Sequence, residues 1–365
     1  MENNTKKKPK LTKVLVIILI SLIVLAGAGL AYLMLGNKSD ENQVVTHSQE
    51  EYEQIRREEL PITKTYYLRP NETLLVDEIE DFDENIILYD GKYAKAASIG
   101  ETTYYDLTSN IKNLIVVTDL YDEPHIDNEK EFIPCHAYSQ EEASLLDGVL
   151  RYEIDEAGFR TRAGALQAVR FLTLEFKYRL NYFCENGRLE THDELPLCDG
   201  EGRYYHYGLY LTDDKFGALY ASQTGPATWG CDLYENPEEQ INQNGIDCSG
   251  LITWALYNAG FDCGDIGGGY NEDDDILDLL DLGEVVELTE LNYEDLKAGD
   301  LIGFPGHIGM VIGIDNENVY VAHSYWDNGL EIKTYTHEEL LDSNWEYVVL
   351  MDSYYQNDGN YSSMW

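Results

Sequence analysis

The chain has 365 residues, 44% of them hydrophobic and 25% charged, which excludes a wholly disordered or collagen-like protein and leaves room for one to three folded domains. Its 25 basic residues stand against 68 acidic ones, a formal net charge of −43, so contact with phosphate backbones is opposed and nucleic acid is excluded as a partner.

Residues 1–13 form a basic tail with Lys6, Lys7, Lys8, Lys10 and Lys13 against a single Glu2. Val14 to Leu35 follows as 22 uncharged, mostly apolar residues. At about 1.5 Å per residue such a helix spans roughly 33 Å, enough to cross a bilayer. The basic flank predicts a cytoplasmic amino terminus and an extracellular remainder. A cleaved signal peptide, with Ala26 to Gly29 as its small residues, is the rival reading; its apolar stretch would be shorter, about 7 to 15 residues, so an uncleaved single-pass anchor in the cell membrane is expected.

Residues 36–62 read as a polar stalk, with helix around Glu50 to Glu59. Residues 63–138 read as a β-rich module, in which Leu74–Val76, Ile86–Tyr89, Thr102–Tyr105 and Leu114–Thr118 are separated by Asn, Asp and Gly. No function attaches to it; its tyrosines are better explained by covering a half-buried sheet than by sugar binding. Residues 139–365 open with a capping box, Ser139 with Glu142, ahead of Leu145, Leu146, Val149 and Leu150. A second helix is predicted from Thr161, with Ala165, Val169, Leu172 and Phe176 forming a core-facing stripe. A third helix, Ser249 to Ala259, leads to strands over 300–304, 307–314, 319–324, 330–336 and 347–352, with a hairpin turn at Asp315 to Asn318. One helix packed on an antiparallel sheet makes an α+β fold.

The chemistry concentrates in Gly245-Ile246-Asp247-Cys248-Ser249-Gly250, which runs into the apolar helix face of Leu251, Ile252, Ala255, Leu256 and Ala259. Cys248 therefore sits at a helix amino terminus, where unpaired N–H groups and the helix dipole favour a thiolate. Asp247 is placed to cap that helix. A base for the thiol comes in Gly306-His307-Ile308-Gly309, at the start of a strand whose Ile308, Met310 and Ile312 face the other way. His323 lies on the next strand of the hairpin, where it would orient the His307 ring.

Asp247-Cys248-Ser249-Gly250 at a helix start, Ala298-Gly299-Asp300-Leu301, Gly306-His307-Ile308-Gly309 and the later His323 together resemble the NlpC-type bacterial cell-wall cysteine peptidases. Trp229-Gly230 is similar to the Trp-Gly-Gly element of that family, with Cys231 in place of its second glycine, and Ala227 stands where many members carry a tyrosine. The resemblance covers about residues 160–355. It implies a papain-like fold and hydrolysis of peptidoglycan stem peptides at the bond between D-γ-glutamate and a diamino acid. It makes Cys248 the nucleophile, His307 the general base and later acid, and His323 the orienting residue. Asp247, Ser249 and Trp229 become substrate-binding positions, and no cofactor is implied.

Other readings compete at these residues. The same Cys and His would serve an N-acetylmuramoyl amidase or a protein-directed peptidase, and an inactive wall-binding scaffold would keep the fold without turnover. Zinc on Cys248, His307 and His323 lacks the usual close ligand pair. Asn271 to Asp275 lacks the alternation of a calcium loop and reads as a solvated acidic stretch. Cys135, Cys184, Cys198, Cys231 and Cys263 are an odd number, of which Cys184 and Cys198 are the nearest pair.

Overall fold

The computed structural model describes residues 54, 56–134, 137–182, 208–209, 245–263, 266, 279 and 281–365. The anchor at 14–35, the basic tail and most of the stalk lie outside them; among the described residues no helix is long and apolar enough to cross a membrane. The chain divides into two units, residues 1–59 and 60–365. In the first, residues 54 and 56–58 are helical. The second is α+β, with mainly antiparallel sheets and few helices.

The second unit begins with β1 (Ile62–Leu68), β2 (Thr73–Leu75), β3 (Ile79–Glu80), β4 (Ile87–Tyr89), β5 (Tyr93–Ala96), β6 (Gly100–Asp106) and β7 (Ile111–Val117). They form one sheet in the order β1-β7-β6-β3 and a second in the order β2-β5-β4. Leu68, Ile79, Ile87, Ala94, Ala96, Tyr104, Ile115 and Val117 fill a small core of their own. β1 runs parallel to β7, and it begins at Ile62, the residue read as the end of the stalk. No apolar alternation marks β1 because most of Ile62–Tyr67 is only half covered.

α1 (Gln140–Gly158) starts as predicted: Ser139 accepts from the Glu142 N–H, and the Glu142 carboxylate accepts from the Ser139 N–H. α1 seats the β-rich part through Lys64–Glu156, 2.6 Å, and through Gly148, which leaves space for the Tyr67 ring. α2 (Arg162–Arg170) is capped by Thr161, whose side chain accepts from the Gly164 N–H. Ala165, Val169, Leu172 and Phe176 are all buried, but the helix widens into a π-helical turn over Phe171–Glu175, which ends the regular spacing.

α3 (Cys248–Asn258) packs between α2 and a six-stranded antiparallel sheet. That sheet is ordered β12-β11-β10-β9-β13-β8, from β8 (Glu284–Glu287), β9 (Leu301–Phe304), β10 (His307–Ile314), β11 (Asn318–Tyr325), β12 (Gly329–Thr336) and β13 (Tyr347–Leu350). β8 and the short helices α4 (His337–Leu341) and α5 (Asp352–Tyr355) carry too few residues to show a period, and sequence reading does not reach them. Asp315 closes the β10–β11 turn by accepting from the N–H groups of Glu317 and Asn318, both at 2.8 Å.

Asp300, in the Ala-Gly-Asp-Leu element, has a structural task. It accepts from Arg162 Nη1 at 2.7 Å, from Lys297 N–H at 2.8 Å and from Met351 N–H at 3.0 Å, joining α2 to β9 and to the end of β13. Arg162 is 0% exposed and Asp300 1%, so the pair is fully desolvated. Gly299 has φ +94, and a Cβ there would stand 3.0 Å from Arg162 Cγ, so the glycine is required both by the turn and by the guanidinium stem.

Candidate active site

The site begins with the helix start. Asp247 is the N-cap of α3, its side chain accepting from the Gly250 N–H, and Ser249 Oγ donates to the same carboxylate at 3.3 Å. Asp247 and Ser249 are 2% and 0% exposed, so each is occupied in building the cap. Cys248 is the first residue of α3, in its first turn, and is 4% exposed. Two bonds hold the segment before it. Ile246 N–H donates to Asn181 O at 3.0 Å, and Ser324 Oγ donates to Ile246 O at 2.6 Å. The residue two before Cys248 is thereby tied to the residue one after His323.

His307 and His323 meet as expected from the hairpin. His307 Nε2 lies 2.8 Å from His323 Nδ1, and both side chains are buried, at 6% exposure each. Gly309 makes this approach feasible, since a Cβ there would be 2.9 Å from Ala322 O and 3.1 Å from His323 Cβ. Strand alternation turns Ile308, Met310 and Ile312 into the core that also holds α3. The imidazoles instead sit among Phe304, Tyr325 and Trp345; the Trp345 ring stacks on His307 at 5.4 Å and meets His323 edge-on at 5.5 Å. Burial in this aromatic box, with His323 beside it, pushes the His307 pKa down to about 3. At neutral pH His307 is an uncharged base, able to take a proton rather than already holding one.

The structure adds Glu331, which the sequence reading does not single out. It stands on β12 directly opposite His323 and is 7% exposed. Its Oε1 is 3.4 Å from His323 Nε2, a contact too long or bent for a well-formed hydrogen bond, so His323 Nε2 has no hydrogen-bond partner among the described residues. Asn328 Nδ2 and Lys333 Nζ each donate to the same oxygen at 3.0 Å. Burial pushes the Glu331 carboxyl up, but the neighbouring His323 ring and the Asn328 and Lys333 donors prevail and hold it down at about 2. A signal for it exists in the sequence: Asn328-Gly329 is a hairpin turn pair, and a hairpin centred on Asp327 sets residue 331 across from 323.

Beside the histidines, Trp326 is 58% exposed and stacks on Tyr182 at 4.9 Å and 25°. Tyr182 follows Asn181, the partner of Ile246, so this aromatic pair borders both the helix start and the histidine hairpin. Trp229 lies outside the described residues, as do Ala227, Cys231, Cys135, Cys184, Cys198 and the Asn271–Asp275 run. Among the described residues no group of three His, Cys, Asp or Glu side chains is arranged to hold a metal ion.

No protein-family model matches this chain, and no curated protein matches it as a relative.

Proposed function

We propose that residues 139–365 form a papain-like cysteine peptidase domain that hydrolyses amide bonds in peptidoglycan stem peptides. The bond between D-γ-glutamate and a diamino acid is the first candidate, and the anchor at 14–35 would hold the enzyme on the outer face of the cell membrane. One observation supports this reading best: a buried cysteine at the first turn of α3, tied by Ser324 and Ile246 to a strand pair that carries two hydrogen-bonded histidines.

In this reading Cys248 Sγ attacks the amide carbonyl while His307 takes the thiol proton, and the proton then passes to the leaving amine. Water, deprotonated by His307, attacks the thioester and frees the carboxylate and the thiol. The Cys248 N–H, in the first turn of α3, would be the donor to the oxyanion. His323 orients His307, and no cofactor enters these steps.

The test is mass spectrometry of purified muropeptides incubated with the full chain in detergent, beside a Cys248→Ala variant. Fragments cut within the stem peptide, absent with the variant, are expected. Release of the whole stem from the sugar would instead indicate an amidase. Absence of fragments from either protein, across differently crosslinked walls and with reductant, would leave a protein-directed peptidase or a wall-binding scaffold.

A further inference from the structure

We propose that Glu331 is a positioning residue of this site, which fixes the tautomers of both imidazoles and so presents an unprotonated His307 Nδ1 to the reacting thiol. The inference rests on the cysteine peptidase reading of Cys248 and His307, but its geometric basis does not.

The argument is a count of donors and acceptors. Between two neutral imidazoles, one hydrogen bond needs one N–H and one lone pair, and the 2.8 Å contact of His307 Nε2 with His323 Nδ1 can be made in two ways. In the first, His307 Nε2–H donates to His323 Nδ1, so the proton of His323 is on Nε2 and points to Glu331. His307 Nδ1 then carries a lone pair. In the second, His323 Nδ1–H donates to His307 Nε2. This sets a His323 Nε2 lone pair against a carboxylate and places the His307 proton on Nδ1, which leaves no base for the thiol.

An ionised carboxylate only accepts, so Glu331 selects the first arrangement. Every observation around it serves that end. Glu331 faces His323 in strict register, it is buried at 7% exposure, and Asn328 and Lys333 hold its Oε1 from the other side. His323 Nε2 has no hydrogen-bond partner among the described residues, and the Glu331 Oε1 stands 3.4 Å from it. When His307 takes the thiol proton, its Nε2–H remains bonded to His323, whose far side faces the Glu331 charge. The positive charge is stabilised without Glu331 itself being protonated. The charged and titratable groups around this array are His307, His323, Tyr325 and Lys333, together with Asp127, Lys130, Tyr178 and Arg179, which line the same small cleft as Glu331.

The test uses the full chain in detergent and compares the parent with Glu331→Met, which removes the acceptor, and Glu331→Gln, which keeps an acceptor but drops the charge. Nitrogen chemical shifts in histidine-labelled protein report the tautomers directly, whatever the activity. In the parent, His307 and His323 are expected to be protonated at Nε2 only. In Glu331→Met, Nδ1–H signal is expected on both rings.

Turnover of muropeptides by Glu331→Met should fall by roughly 10²- to 10⁴-fold in kcat with KM within about threefold, and Glu331→Gln should lie between it and the parent. Iodoacetamide labelling of Cys248 should lose its pH profile in the same order. A merely structural glutamate would shift unfolding but leave the labelling profile and tautomers alone. A parent with His323 protonated at Nδ1, or a Glu331→Met protein with parental tautomers and labelling, would overturn the inference; if the Met variant does not fold, the Gln variant and the parent shifts carry the test. A parent with the expected tautomers but no turnover and no preferential Cys248 labelling would overturn the peptidase reading instead.

Discussion

Replacing Asp300 by Ala should destabilise the protein by several kcal/mol. Asp300 is the buried anion beside a guanidinium with no solvent exposure, and its removal leaves Arg162 with Asp352 and Asp358, whose side chains are 61% and 54% exposed, and with Ala298 O at 3.2 Å. It also strips the N–H groups of Lys297 and Met351 of their acceptor. Removing one partner of a buried ion pair costs about 3 to 5 kcal/mol, and the exposed Asp352 and Asp358 that stay with Arg162 set the expected loss at the lower end of that range. Spread over a unit of this size, that lowers the melting temperature by about 5 to 10 °C.

The Asp300 carboxyl sharpens the test, because burial pushes its pKa up against the opposing pull of Arg162. For the carboxylate the attraction does not fully offset the loss of water, whereas the Arg162 guanidinium is held above its ordinary value by the anions around it. A double variant, Arg162→Met with Asp300→Leu, should regain much of what Asp300→Ala loses, because an apolar pair of similar volume has no charge to desolvate. Calorimetry and urea unfolding at pH 7 read both. A melting temperature for Asp300→Ala within about 2 °C of the parent, or a double variant no more stable than it, would refute the reasoning.

Ser324→Ala leaves Ile246 O buried without its side-chain donor, which should cost about 1 to 3 kcal/mol in urea unfolding and slow Cys248 labelling more than Val321→Ala does. Trp326→Ala removes the exposed member of the ring pair with Tyr182; if that pair lines the substrate path, KM for muropeptides should rise severalfold with kcat nearly unchanged, and equal KM values would rule the path out. Stability should fall on both sides of a maximum in pH. On the acid side, His307 has its folded pKa depressed to about 3 from 6.5, so the unfolded chain gains protons first and stability is lost as the pH falls from 6.5 towards 3; Glu331, held at about 2 against 4.5, adds a loss below 4.5.

On the alkaline side, burial raises Glu153 and Glu175, since Arg69 is shared among them and Glu72, and a carboxyl with a raised folded pKa loses stability as pH rises above its unfolded value. Glu175→Gln should flatten that limb in urea midpoints taken from pH 4 to 9, and an unchanged slope would count against the shared-cation account.

The parts legible in the sequence are those in which one residue type has one physical use. Ser139 with Glu142, Thr161 and Asp247 announce helix starts because their oxygens satisfy N–H groups that nothing else can reach. The His307–His323 contact follows from a turn signal plus the two-residue period of strands. What stays hidden has its meaning in three dimensions. β1 is drawn into the sheet by β7, more than forty residues later, and not by its own alternation. Glu331 looks like any solvent-facing charge on a strand until its neighbour across the hairpin is known. Asp300 carries the same ambiguity, and only the arrival of Arg162 from α2 makes it a buried partner.

The bridge between Asn181 and Gly245 brings together the two ends of a long stretch of chain, in backbone pairing just before Cys248. Midway, Gly208 is pinned to α3, its N–H donating to Asn258 Oδ1 at 2.7 Å and its carbonyl accepting from Trp254 Nε1 at 3.0 Å. Asn181, Gly208 and Gly245 are thus three fixed points tied to α3 or to the segment that leads into it. Lengthening a segment whose ends are already held is cheap, about 0.6 kcal/mol for each doubling. Changes of length between these fixed points are therefore expected to leave the placement of Cys248 and of the histidine hairpin unaltered.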